Sequence, residues 1–229
     1  SCKETNQRVI TMMYGKWYER LAIGYQRRLQ LLRGQVLRLR GTRVGERFGV
    51  GSHVQVWNPS CLCVGHDVTI FDGAYIRSAR PSSVHIGNNT SIQLGLWLDC
   101  GGEQQSAGFV RIGSHCLLQP YFTMNASGAI VKIGDHVLFG QLVSIHAGNH
   151  VFKDPGRLIA DQGTIHEGVT IEDDCWIGAK ATILDGVTIG RGSVIGAGAI
   201  VTQSVPAYSI AVGSPCRVIR RRGEPRGSR

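Results

Sequence analysis

No stretch of the 229-residue chain holds the 18 or more consecutive apolar residues expected of a membrane-spanning helix. Aromatic residues are few, at 7%, whereas there are 31 glycines, a balance that suggests many tight turns around a thin core. The glycines follow no collagen period and prolines number only 7, which argues against a low-complexity chain. The 7 cysteines are odd in number and lack zinc-finger spacing; Cys61 and Cys63 form only an isolated C-x-C. Free thiols in a reducing cytosol are therefore expected. Nucleotide-binding loops are missing too. There is no Walker A string, and Gly196-x-Gly198 neither completes a G-x-G-x-x-G nor opens a helix. Lys3, Glu4 and Arg8 precede any apolar stretch, which does not read as a signal peptide.

The net charge of +9 is uneven: residues 1–40 carry +7, residues 217–229 carry +5 and residues 41–216 carry −3. The middle of the chain is thus no basic nucleic-acid surface, and no nucleic-acid partner is expected. The positive ends can meet phosphates, anionic lipid or water.

A six-residue period dominates what is present. Ile171, Ile177, Ile183, Ile189, Ile195 and Val201 follow one another without a slip. Ile133, Phe139, Ile145 and Val151 keep the same step, as do Ile112, Leu118 and Met124. So do Ile86, Ile92 and Leu98, then Val64, Ile70 and Ile76, and at the start Val44, Val50 and Val56. Four residues after these positions stand small or β-branched residues such as Val137, Val143, Cys175, Ala181, Val187, Ser193, Ala199 and Val205. Six matches neither the 3.6 period of a helix nor the 2.0 period of a strand. It fits triangular coils of about eighteen residues, stacked about 4.8 Å apart, with the large aliphatic inside and Gly or Asn at corners of positive φ. The expectation is an all-β, left-handed parallel β-helix of about seven coils with a short N-terminal helical segment. Phase slips place loops near 77–85, 99–111 and, longest, 152–170, and long loops are where function concentrates.

The ends break the pattern. Trp17, Leu21, Tyr25, Leu29, Leu32, Val36 and Leu39 follow helical spacing, with Arg20, Arg27, Arg28, Arg33 and Arg38 elsewhere. Such a helix is expected either to pack on the open end of the coil or to lie on an anionic membrane as a peripheral contact. Gly24 and Gly34 weaken it. Pro206 and Pro215 are expected to stop the coil. The division is 1–43 helical and basic, 44–206 β-helix, and 207–229 cap and tail.

The string IEDDCWIGAKATILDGVTIGRGSVIGAGAIVTQSV (171–205), followed by PAYSIAVGSPCRVIR (206–220), resembles the terminal coils of hexapeptide-repeat sugar O-acetyltransferases. HVFKDPGRLIADQG (150–163) resembles the active-site loop of members that modify lipopolysaccharide, capsule or exopolysaccharide sugars. The resemblance spans roughly 44–220. It implies an acetyl-CoA-dependent O-acetyltransferase, a cytoplasmic homotrimer with sites between neighbouring coils, and no metal. It implies His150 as general base. Acetyl-CoA would contact Trp176, Ala179 and Ala197, and its phosphates Thr202, Arg217 and Arg220. Asn125 and His146 would face the acceptor. Gln203 departs from the lysine common in the family, and no S/T-x-F-P-F-like string follows the histidine as in the galactoside and antibiotic branch.

Imidazole suits this chemistry because it can take a hydroxyl proton and return it to the leaving thiolate near neutral pH. A backbone carbonyl, Asp161 or Glu167 could orient it. Three other readings stay open: N-acetylation of a nucleotide-linked amino sugar, a zinc carbonic anhydrase-like site on His115, His146 and His150, and a non-enzymatic scaffold.

Overall fold

The computed structural model describes residues 23–78, 80, 83–101 and 108–224; Trp17, Arg20 and Leu21 of the expected helix, and the middle of the 99–111 loop, lie outside them. The described chain winds through three sheets in turn. Val169–Ile171 lies in the first, Trp176–Ile177 in the second, Thr182–Ile183 in the third, and Thr188–Ile189 returns to the first. The first and third sheets have seven strands each, so the solenoid makes about seven turns. Every pairing between successive coils is parallel and in register, as Ile133↔Ile171↔Ile189 and Ile145↔Ile183↔Val201 illustrate.

The hexad follows from this geometry. Within a two-residue strand such as Thr182–Ile183 the side chains alternate, so Thr faces out and Ile faces in. Three corners then return the chain to the same place one rung along. The interior is three stacked aliphatic columns, and Ile70, Ile92, Leu118, Ile177 and Ile195 in one of them are fully buried. Cys175, Ala181, Val187, Ser193 and Ala199 are buried as well, at the position where earlier coils hold the larger Phe48, Leu96 and Phe122. Val151 is the exception to the period: the coil has left the stack by then, and the residue is half-buried in the projecting segment.

Glycine and asparagine hold positive φ at corners as expected, for example Gly73, Gly95, Gly186 and Asn89, but other residues share the role. Positive φ is adopted by Asp67, Asn89, His115, His136 and Asp174, one per successive coil. Their backbone N–H groups reach the preceding coil, as in His136 N to Ser114 O at 2.9 Å, which offsets the cost of a left-handed non-glycine residue. The glycines after the large aliphatics serve close approach instead. A Cβ on Gly140 would sit 2.5 Å from Ala179 N, and one on Gly178 2.5 Å from Ala197 N.

At the start, residues 23–39 form a helix. It ends in a Schellman-type turn: Gly41 has φ 101°, with Gly41 N to Arg38 O and Thr42 N to Leu37 O. It docks on the first coil through Gly34 and Leu37. A Cβ on Gly34 would lie 2.2 Å from the Phe48 carbonyl oxygen, so this face of the helix is held directly on the Phe48 backbone. At the other end, Ser209–Val212 extends the second sheet beyond Pro206, and Arg217–Arg221 closes it with an antiparallel strand.

Candidate active site

The longest excursion leaves the solenoid after Ser144–His146 and rejoins it at Val169–Ile171. Its two legs form a small antiparallel ribbon, Asn149–His150 against Thr164–Ile165, with His150 opposite Thr164. The His150 ring is exposed and makes no hydrogen bond among the described residues. None of the expected orienters, a backbone carbonyl, Asp161 or Glu167, engages it: Asp161 ends a short 3-10 turn, Ile159–Asp161, and Glu167 is held through its backbone.

The ribbon is clasped at its base by Asp185. That carboxylate accepts the Glu167 N–H at 3.0 Å and the Gly168 N–H at 2.7 Å on the returning leg, and the Asn149 side-chain amide at 3.4 Å on the outgoing leg. One group in the following coil thus ties both legs down. Asp185→Ala should leave those donors without their acceptor and raise amide exchange at Glu167 and Gly168 by at least about tenfold, as one lost charge-assisted hydrogen bond implies. Unchanged protection would show that the clasp does not restrain the ribbon. His166, also on the returning leg, bonds Thr164 Oγ1 at 2.9 Å, and its buried Nδ1 packs where Gly148 lacks a side chain.

Beside the ribbon, one edge of the third sheet presents a polar column. In-register neighbours are Trp57, Arg77, Asp99, Asn125 and His146. Asn125 and His146 are adjacent and exposed. The His146 ring is tied back to its own strand, Nε2 to Ser144 Oγ at 2.8 Å, and Ser144 Oγ accepts Thr123 Oγ1–H at 2.9 Å. Above them Arg77 grips the largely buried Asp99 with two hydrogen bonds of 2.9 and 2.7 Å, which raises the arginine further above its ordinary range. Arg77, Asp99, Ser144, His166 and Asp185 were not singled out from sequence. The column had a signal, since each member directly follows an interior hexad residue: Ile76, Leu98, Met124, Ile145. The clasp had none, because it joins residues brought together only by the loop's return.

The residues expected to hold acetyl-CoA divide between the two edges of that sheet. Trp176 is 56% exposed in the second sheet, in register with Leu138 and Val194. Ala179 and Ala197 follow on the corner leading into the third sheet, linked by Gly198 N to Ala179 O at 2.8 Å. Thr202 lies just past Ile200–Val201, on the His150 side. Arg217 is brought near by Cys216 N, which bonds Ile200 O at 2.8 Å. Arg220 pairs instead with Ile210 in the second sheet and donates to the Glu224 carbonyl. Within one chain the width of a sheet separates His150 from Ala179 and Ala197.

His115, His146 and His150 do not converge. His115 is on a different corner, its ring stacked on His136 with centroids 4.7 Å apart. Among the described residues no three His, Cys, Asp or Glu side chains gather as a metal site. The buried thiols are poor nucleophiles: burial pushes Cys100 up to about 12, and Cys116 and Cys175 to about 11.

Comparison with known proteins bears on this geometry. The family model described as hexapeptide repeat of succinyl-transferase matches residues 168–203. A probable acetyltransferase of Mycobacterium tuberculosis is 37% identical over 134 residues, covering 57% of this chain and 44% of that protein. Galactoside O-acetyltransferase of Lactococcus lactis is 35% identical over 133 residues, covering 49% of this chain and 63% of that one. The chain therefore spans roughly half of the length of these curated relatives. Among solved structures, the N-acyltransferase AntD from Bacillus cereus superposes with a TM-score of 0.56 at 19% identity, covering 82% of this chain and 88% of that one. UDP-N-acetylglucosamine acyltransferase from Campylobacter jejuni gives 0.57 at 18%, covering 79% and 71%. The six-residue period and the seven-turn solenoid thus coincide with a matched hexapeptide-repeat model and with relatives named as acetyltransferases, and the chain is similar to the hexapeptide-repeat acyltransferases.

Proposed function

We propose that this chain moves an acetyl group from acetyl-CoA to a sugar hydroxyl, in a precursor of a surface polysaccharide or glycolipid, as a homotrimer in the cytoplasm. The observation that carries the reading is His150: an exposed imidazole on a clasped ribbon, beside an exposed Asn125–His146 pair. In this reading His150 removes the acceptor hydroxyl's proton as that oxygen bonds to the thioester carbonyl carbon. Collapse then breaks the carbon–sulfur bond, and the same imidazole returns the proton to the thiolate, leaving an acetyl ester and free CoA. No covalent enzyme intermediate is needed.

Residues of the second sheet and of the corner joining it to the third fit the donor. Trp176, Leu138 and Val194 form an outward apolar strip suited to an extended thioether arm. At the corner that follows, Ala197 is exposed and Ala179 half-buried, each with the glycine of the coil before packed against its backbone. Arg217 is exposed and able to meet phosphate, whereas Arg220 sits opposite Ile210 and donates to the Glu224 carbonyl. A second copy would set one chain's ribbon against another's donor edge, which is the motive for the trimer. The segments 1–43 and 207–229 are read as basic appendages of the 44–206 body. Among the described residues no helix is long and apolar enough to cross a membrane.

Calorimetry with CoA tests the donor. Arg217→Ala is expected to raise its Kd by roughly tenfold, about 1.4 kcal/mol, while leaving the fold intact; absence of CoA binding by the unaltered protein would end the reading. Thiol release scored against hydroxyl and amino sugars, with mass spectrometry of the product, tests the acceptor. An N-linked acetyl group would replace the hydroxyl assignment by the amino-sugar alternative.

A further inference from the structure

A surface helix normally turns its apolar stripe toward the body it rests on. The helix at 23–39 does the reverse. Tyr25, Leu32, Val36 and Leu39 recur at helical spacing and are 62%, 62%, 54% and 87% exposed. The docking side is Gly34 and Leu37, with Gln30 Cβ placed 3.5 Å from where a Gly49 Cβ would stand. At about 100° per residue, the exposed stripe points well away from that docking side. The same spacing puts Arg28 on one flank of the stripe and Arg33 and Arg40 on the other. Residues 23–43 contain six arginines and no aspartate or glutamate. No ion pair holds any of these six among the described residues.

We infer that this helix face is a docking surface for an anionic lipid bilayer, lying in the plane of the interface. An apolar stripe bordered on both sides by unneutralised guanidinium groups matches acyl chains flanked by anionic headgroups. Arginine suits the border because its long stem reaches outward while its charge stays in the headgroup layer. A protein partner would need a complementary row of acids around an apolar groove. A second copy of the chain would bring arginines against arginines, because this segment has no acid to offer. The inference is independent of the acyl-transfer reading, and its test measures no turnover.

The experiment is flotation of the full chain with vesicles of phosphatidylcholine alone and of phosphatidylcholine with phosphatidylglycerol. Binding to the anionic vesicles is expected to be at least about tenfold stronger, and to weaken as salt screens the headgroups. Leu32→Glu with Val36→Glu should reduce that binding by at least about tenfold, and Arg28→Gln with Arg40→Gln by several-fold, through loss of apolar burial and of charge respectively. Both pairs alter exposed positions, and circular dichroism together with sedimentation in the absence of lipid should match the unaltered protein. Equal affinity for both vesicle types, no binding to either, or full binding by the Leu32/Val36 pair would overturn the inference. So would a lipid-free fall in sedimentation coefficient for that pair, which would assign the stripe to contact between copies.

Discussion

Replacing His150 with alanine is expected to lower turnover by about 10²- to 10⁴-fold, the usual contribution of a positioned general base. Juxtaposition of the two substrates would sustain the residual rate. CoA affinity, circular dichroism and oligomer mass should stay as they were, because the ring is exposed on a ribbon outside the aliphatic stack and takes part in no hydrogen bond of the described fold. His146→Ala is the informative companion. It removes a ring bonded to Ser144 Oγ and adjacent to Asn125, so a smaller loss is expected, expressed more in KM for the acceptor than in kcat. The two histidines are four residues apart and both exposed, so general damage to the segment would affect them alike. If His146→Ala abolishes turnover while His150→Ala keeps most of it, the base belongs to the Asn125–His146 column and the ribbon is a lid.

Much of this architecture was legible without coordinates, for a physical reason. A triangular coil asks the same question of the chain every six residues, and Ile171 through Val201 answer it alike each time. One interior register therefore sets every rung, and even the polar column Arg77, Asp99, Asn125 and His146 follows from it by counting one residue on. What the register does not reach is whatever leaves the coil. Val151 keeps the spacing yet lies off the stack, since periodicity records composition and not whether the chain is still winding. The Asp185 clasp joins residues 149, 167 and 168 across a loop whose return point no pattern marks. The corner rule held at Gly73, Gly95, Gly186 and Asn89 but missed Asp67, His115 and His136, where a backbone hydrogen bond to the coil before offsets the cost of a left-handed residue. The helix shows a different limit. Its stripe from Tyr25 to Leu39 was visible, but which side met the body depended on Gly34, whose missing side chain lets the helix close onto Phe48.

The largest structural effect is expected at Ile183. Its side chain is fully buried, stacked in register between Ile145 of one coil and Val201 of the next. Ile183→Asp would place a carboxylate in a column of hydrocarbon with no partner, and would also forfeit the apolar burial it replaces. A loss of at least about 4 kcal/mol is expected, since an unpaired buried charge belongs with the most damaging of single substitutions. Thr182→Asp is the control: that side chain points outward on the same two-residue strand, and a change within about 1 kcal/mol is expected there. A solenoid also determines where the damage spreads. Each coil touches only its neighbours, so stability is nearly a sum of adjacent contacts. The coils after residue 183 should therefore lose amide protection first, from Thr188–Ile189 through Ser209–Val212, while Thr69–Ile70 and Ser91–Ile92 keep theirs. Hydrogen exchange resolved by segment reads both halves of the expectation. Equal loss along the whole chain would mean that the coils unfold as one unit, and comparable loss from Thr182→Asp would mean that the inward and outward assignment of this strand is reversed.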